Sequence, residues 1–277
     1  MTDLVNKGKS LSTIGLLAIF AAFAVSVPLA GKLMPKLFGW ESVDYADLAN
    51  TTESLVQNVI APDLLITVLV VALVLVLGWW TFVTREERRV PSWMWLFPIT
   101  LITVSALTTD WSRLSDMGGA YVAALVAAVL LVGFNEEFIF RGVLLHGFRQ
   151  TGGEVHAWAW STGLFALVHA MNLFNGSPIS TVMPQVGNTF LLGTAFYLTR
   201  RVSGSIWLAV VAHGFWDFAL FSHGGGKAAI VPGGSTEVFH LQSLVPFIPL
   251  VLFAVAMIAH KQWMHPNVEE KEPAQAT

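Results

Sequence analysis

Residues 118 to 146 read GGAYVAALVAAVLLVGFNEEFIFRGVLLH, and two features of this stretch decide how the rest of the chain is read. It opens with an apolar run long enough to cross a bilayer, since about 20 residues at 1.5 Å rise cover roughly 30 Å of hydrocarbon. It then carries Glu136, Glu137 and Arg141 inside the same hydrophobic segment. A charge near the bilayer centre costs at least a few kcal/mol, so an ionisable group in a span is a functional candidate by default.

Composition agrees with lipid as the main solvent. Of 277 residues 55% are hydrophobic and only 12% are charged, whereas an average soluble domain carries about 25% charged residues. Apolar runs predict spans near residues 11 to 31, 62 to 83, 92 to 110, 118 to 146, 155 to 174, 180 to 200, 205 to 222 and 241 to 262. The expected fold is therefore all-α, a polytopic membrane helix bundle with about eight transmembrane helices. Pro98 is expected to interrupt the third span, and the fourth is long enough to tilt. The first run, after Lys7 and Lys9, is too long for a secretory signal peptide, and Pro28 falls where a cleavage site would be needed, so it reads as a retained span. The chain divides into N-terminal helices (1 to 117), a core that holds the unusual charges (118 to 222), and a last span with a polar tail (223 to 277). The tail from His265 to Thr277, with two prolines, is expected to be disordered.

Charge distribution orients the bundle. With the N-terminus inside, the inner segments hold Lys7, Lys9, Arg85, Arg88, Arg89, Arg149, Arg200, Arg201, Lys261 and Lys271, and the outer ones hold Lys32, Lys36, Arg113 and Lys227. Ten against four favours both termini in the cytoplasm of a bacterial-type plasma membrane. The loop from Glu41 to Asp63, with Asp44, Asp47 and Glu53, is then external. Trp79, Trp80, Trp93, Trp111, Trp158, Trp207 and Trp263 fall near span ends, as interfacial anchors do. A net charge of −3 without a block of basic residues excludes a nucleic-acid surface, and the absence of cysteine excludes disulfides and thiolate chemistry.

Two further spans carry buried-type polar groups. The fifth reads Phe165-Ala-Leu-Val-His169 and the seventh reads His213-Gly-Phe-Trp-Asp217. Counted from the expected helix ends, Glu136, His169 and His213 lie in one layer, very roughly 12 to 21 Å into the membrane for the two histidines. Glu137 and Arg141 are i, i+4 neighbours that pair on one face, which leaves Glu136 rotated by about 100° toward something else. His213 and Asp217 share a face in the same way, so the carboxylate is placed to orient or charge the imidazole. Plainer readings stand beside these: an ion pair for Glu137 and Arg141, interhelical hydrogen bonding for Glu136, His169, His213 and Asp217, cavity lining or simple glue for Asn135, Asn172 and Asn188, and packing for Phe165. His146, His156, His223, His240, His260 and His265 fall at span ends or in loops, where a solvated histidine needs no explanation.

Three motifs, Glu136-Glu137-x3-Arg141, Phe165-x3-His169 and His213-x3-Asp217, in that order and each on a hydrophobic helix, resemble those of the CPBP (CAAX protease and bacteriocin-processing, or Abi) intramembrane proteases, which include the Rce1-type CAAX endopeptidases. The resemblance covers roughly residues 118 to 222. It implies hydrolysis of a peptide bond in a membrane-associated protein or peptide, with water activated by Glu136 and His169 and the oxyanion held by His213 and residue 217. Ionised Asp cannot donate a hydrogen bond, so Asp217 is expected to hold His213 as a donor-ready imidazolium. No cofactor is expected. The alternative is a divalent metal such as zinc on Glu136, His169, His213 and Asp217, which are adequate ligands, although no His-Glu-x-x-His pattern is present. Two other functions compete: a transporter or proton relay, for which inverted repeats are not evident, and a catalytically silent membrane partner such as an immunity factor.

Overall fold

A computed structural model of the protein describes residues 10–43, 47–173 and 178–224. Among the described residues the regular structure is helical, and the single β-bridge joins Arg85 to Ser205. Eight continuous helices follow one another: α1 Thr13–Phe38, α2 Thr52–Leu77, α3 Trp80–Thr84, α4 Ser92–Thr108, α5 Trp111–Thr151, α6 Glu154–Val168, α7 Ile179–Ser203 and α8 Ile206–Ser222. Of these, α1, α2 and α5 are long and apolar enough to cross a membrane, and α4 and α8 are shorter apolar helices. Large aliphatic side chains such as Val68, Leu75, Val76 and Leu107 are exposed on the outside, which suits lipid contact and makes this an integral membrane protein. The expected eighth span and the polar tail lie outside the described residues.

Several boundaries differ from the sequence expectations. The first helix runs on to Phe38 and carries Pro28 and Pro35 inside it, so Lys32 and Lys36 belong to its last turns. The loop after α1 is shorter than expected, because α2 begins at Thr52, where the Thr51 side chain accepts the Ser54 N–H at 3.0 Å. Pro98 does not interrupt the third span. It sits at the start of the Leu96–Thr108 segment, where a missing N–H costs little. Trp79 is fully buried and is no interfacial anchor, whereas Trp80, Trp93, Trp111 and Trp207 are exposed. Trp263 lies outside the described residues.

The arginines expected on the inner side are not simply solvated. Glu86 and Glu154 are buried at one end of the bundle, where Arg149 pairs with both, Arg200 with Glu86, and Arg88 and Arg201 with Glu154. Tyr197 donates to Glu154 as well. This network ties the α3–α4 connection and the α5–α6 turn to the end of α7.

At the centre α5 packs along α8, and α2, α4 and α7 close around the pair. The expected start of the fourth span, residue 118, coincides with a break in α5, where Gly118 adopts φ +79°. That left-handed conformation is accessible to glycine at little cost. Further along, Gly133 of α5 faces Gly214 of α8 so closely that a Cβ on Gly133 would lie 3.0 Å from the Val210 carbonyl oxygen and 3.2 Å from the Gly214 nitrogen. Both neighbours are backbone and cannot rotate away. A Gly133→Val substitution is therefore expected to cost about 1–3 kcal/mol through overpacking and to lower the melting temperature of the detergent-purified protein, measurable by a thermal-shift assay.

Candidate active site

The close approach of Gly133 and Gly214 sets the site, because Glu136 and Glu137 follow one turn after the first and His213 immediately precedes the second. Just beyond Glu137, residues Phe138–Leu144 form a π-helical turn, all of it buried. Such underwound turns recur at functional sites because they redirect side chains without breaking the helix.

Glu137 is fully buried and one of its oxygens serves two partners. Its Oε1 accepts from the Arg141 guanidinium at 2.9 Å and from the His213 Nδ1–H at 2.9 Å. The expected i, i+4 pair is thus present, and Glu137 also bridges α5 to α8. Arg141 is buried too, with its guanidinium carbon 3.8 Å from the centre of the Phe165 ring and 5.5 Å from that of Phe196. Its Nε and Nη2, and Oε2 of Glu137, have no hydrogen-bond partner among the described residues. The aromatic faces supply part of what those donors lack, since a ring quadrupole attracts a cation most when water is excluded. The room for this stack comes from Gly193 of α7, where a Cβ would fall 2.7 Å from Arg141 Nη2 and 2.9 Å from Phe165.

Glu136 points elsewhere, as its rotation on the helix requires. Its Oε2 lies 3.6 Å from His213 Nε2, and Asp217 Oδ2 approaches the same nitrogen at 3.5 Å. Both carboxylates keep some exposure, 19% and 15% of their side chains, where Glu137 keeps none. His213 is stacked on Phe196 with ring centres 4.6 Å apart. Its Nδ1 is committed to Glu137 and its Nε2 faces the two accessible carboxylates.

His169 comes from a different backbone than expected. The α-helix ends at Val168, and His169 opens a 3-10 turn, His169–Leu173. Its Nδ1–H donates to the Phe165 carbonyl at 2.9 Å, an oxygen that a continuing helix would use in its own ladder. The Phe165 ring separates the two imidazoles, edge-on to His169 at 5.2 Å and to His213 at 5.8 Å. With Nδ1 occupied, His169 has Nε2 left for chemistry.

The remaining candidates are placed as follows. Asn135 is buried and bonded to Asp63 and Thr67 of α2, so it lines no open space. Asn172 donates to Gln185, tying the 3-10 turn to α7. Asn188 is partly exposed. His146 is not a solvated span-end residue, being stacked on Phe82 and edge-on to Trp79. His223 faces the Thr108 carbonyl at 2.8 Å rather than open solvent. His240, His260 and His265 lie outside the described residues. Among the described residues no group of three or more His, Asp or Glu side chains is arranged to hold a metal ion.

Residues 118–219 match the sequence model of the type II CAAX prenyl endopeptidase Rce1-like family. The match covers the centre of the bundle, the Rce1-like core, and not the rest of the chain. It begins at the Gly118 break and takes in all three motifs. No match is found among curated proteins or among solved structures.

The buried Glu137–Arg141 pair makes a measurable demand on stability. Removing one charge from a buried pair leaves the other uncompensated and costs about 3–5 kcal/mol, whereas removing both is far milder. Arg141→Met is therefore expected to destabilise the Rce1-like core strongly and Glu137→Gln/Arg141→Met to recover part of the loss, as read from melting temperatures of the purified variants.

Proposed function

We propose that this protein is an intramembrane endopeptidase that hydrolyses a peptide bond of a membrane-associated protein or peptide, with Glu136 as the general base. The observation that carries the reading is the division of labour between consecutive glutamates, Glu137 being fully buried and engaged through Oε1 by Arg141 and His213 while Glu136 stays partly accessible beside His213 Nε2. In this reaction Glu136 takes a proton from water as the water oxygen bonds to the scissile carbonyl carbon. His169, through Nε2, orients that water. His213 acts as an imidazolium, since Glu137 accepts from its Nδ1 and Asp217 and Glu136 lie against its Nε2, and its Nε2–H stabilises the oxyanion. When the C–N bond breaks, the proton held on Glu136 passes to the departing amine nitrogen. Preorganised donors in a water-poor site make the largest contribution to this class of chemistry, and a positioned base contributes about 10²–10⁴-fold.

The proposed pathway needs no metal ion; the alternative, a divalent metal such as zinc on Glu136, His169, His213 and Asp217, would use Nε2 of His213, since its Nδ1 is engaged by Glu137. The same protein is proposed to sit in a bacterial-type plasma membrane with the buried arginine network on the cytoplasmic side, in keeping with the bias of Lys and Arg toward that end.

Cleavage of a panel of prenylated and unprenylated peptides by the purified protein tests the reading. Glu136→Gln and His169→Ala are each expected to reduce cleavage by at least about 100-fold while leaving the fold intact, and a chelator is expected to change nothing. Activity that survives both substitutions refutes the hydrolase. Activity lost on chelation and restored by zinc replaces the base mechanism with a metal one. Orientation is open to a separate measurement, because the chain has no cysteine: a single cysteine at exposed Glu87 should resist a membrane-impermeant maleimide in intact cells, and one at exposed Ser115 should react.

A further inference from the structure

Asp63 is an ionisable residue of the membrane helices that lies outside both the three motifs and the matched stretch. Asp63 belongs to α2, and its side chain meets Asn135, the residue immediately before Glu136. The Asn135 amide donates at 3.0 Å to the Asp63 carboxylate Oδ1 and at 3.0 Å to the Asp63 backbone carbonyl. On its other side Asn135 Oδ1 lies 2.9 Å from the Thr67 hydroxyl, whose one proton is shared with the Asp63 carbonyl at 2.8 Å. The two contacts donated to Asp63 thus set which way this buried amide faces. Both helices are underwound next to the contact, with π turns at Val56–Ile60, ending three residues before Asp63, and at Phe138–Leu144, beginning three residues after Asn135.

A bond of this kind does more than join two helices. Asn135 and Glu136 are consecutive, so pinning the first fixes the rotation of α5 about its axis at the level of the second. Among the described residues the Glu136 side chain makes no hydrogen bond, so that beside its 3.6 Å approach to His213 Nε2 the backbone beneath it sets where its carboxylate stands. We infer that Asp63 is a positioning residue for the reaction, acting through Asn135 to aim Glu136 at the water and scissile carbonyl, so that the catalytic base depends on a helix outside the Rce1-like core. This inference rests on the hydrolase reading above.

Steady-state cleavage by the full-length protein tests it with four variants. Asp63→Ala removes the acceptor, and Asn135→Asp sets two carboxylates against each other. Each is expected to lower kcat about tenfold or more, as misplacement by about 1 Å does, with KM changed less than about twofold. Asp63→Asn keeps an acceptor for the amide and is expected to retain most of kcat. The exchanged pair Asp63→Asn/Asn135→Asp reverses donor and acceptor and is expected to regain most of what Asn135→Asp loses. Melting temperatures of the same preparations separate aim from folding: variants that lose stability with kcat unchanged, or that fail to fold even as the exchanged pair, make the contact a structural strut and overturn the inference. A normal kcat in folded Asp63→Ala also overturns it while leaving the hydrolase standing. A wild-type protein that cleaves nothing removes both.

Discussion

One carboxylate oxygen, Oε1 of Glu137, receives hydrogen bonds from Arg141 on its own helix and from His213 on α8. Out of contact with water, such a carboxylate is tolerated only when its charge is compensated by nearby donors. Meeting that demand draws α5 and α8 together, stacks the guanidinium on Phe165, and holds the His213 ring flat against Phe196. The orientation of His213 is thus a by-product of neutralising Glu137. Its second nitrogen can face only the space that Glu136 and Asp217 border.

Backbone economy makes this possible. Gly133 and Gly214 let two helices approach until backbone meets backbone, and Gly193 leaves the volume that the Arg141 guanidinium occupies. In lipid, where apolar surface gains little by being buried against another apolar surface, close backbone packing and interhelical hydrogen bonds are the main sources of association. The same residues that stabilise the bundle therefore also set the distances between its ionisable groups.

A second polar assembly does different work at one end of the bundle. Glu86 and Glu154 bind four arginines drawn from the α3–α4 connection, the end of α5 and the end of α7. Buried pairs of this kind contribute little net stability over apolar packing, but they penalise every arrangement that leaves a charge unmatched. Fixing these turns fixes where α6 begins, and with it how far along the bundle His169 stands.

Much of the site was legible in the linear chain. The cost of charge in lipid singled out Glu136, Glu137, Arg141, His169, His213 and Asp217, and helical periodicity separated the roles of the two glutamates before any coordinates, because residues at i, i+4 share a face and adjacent ones do not. The Glu137–Arg141 pair follows from that rule alone. What periodicity within a helix cannot reach is the contact between helices. The bridge from Glu137 to His213, the stacking of Phe196, the vacancy at Gly193 and the link from Asp63 to Asn135 join residues 17 to 76 positions apart, through packing that no local signal encodes. Helix ends were misjudged for a related reason: hydropathy reports which residues lipid accepts, while the cap at Thr51, the break at Gly118 and the 3-10 turn at His169 are decided by individual hydrogen bonds and backbone angles. Transfer free energy is a property of each residue, so a membrane bundle and the identity of its costly groups are written in the linear chain. Which of those groups are neutralised and which stay available depends on who stands opposite, and that is settled by how the helices pack.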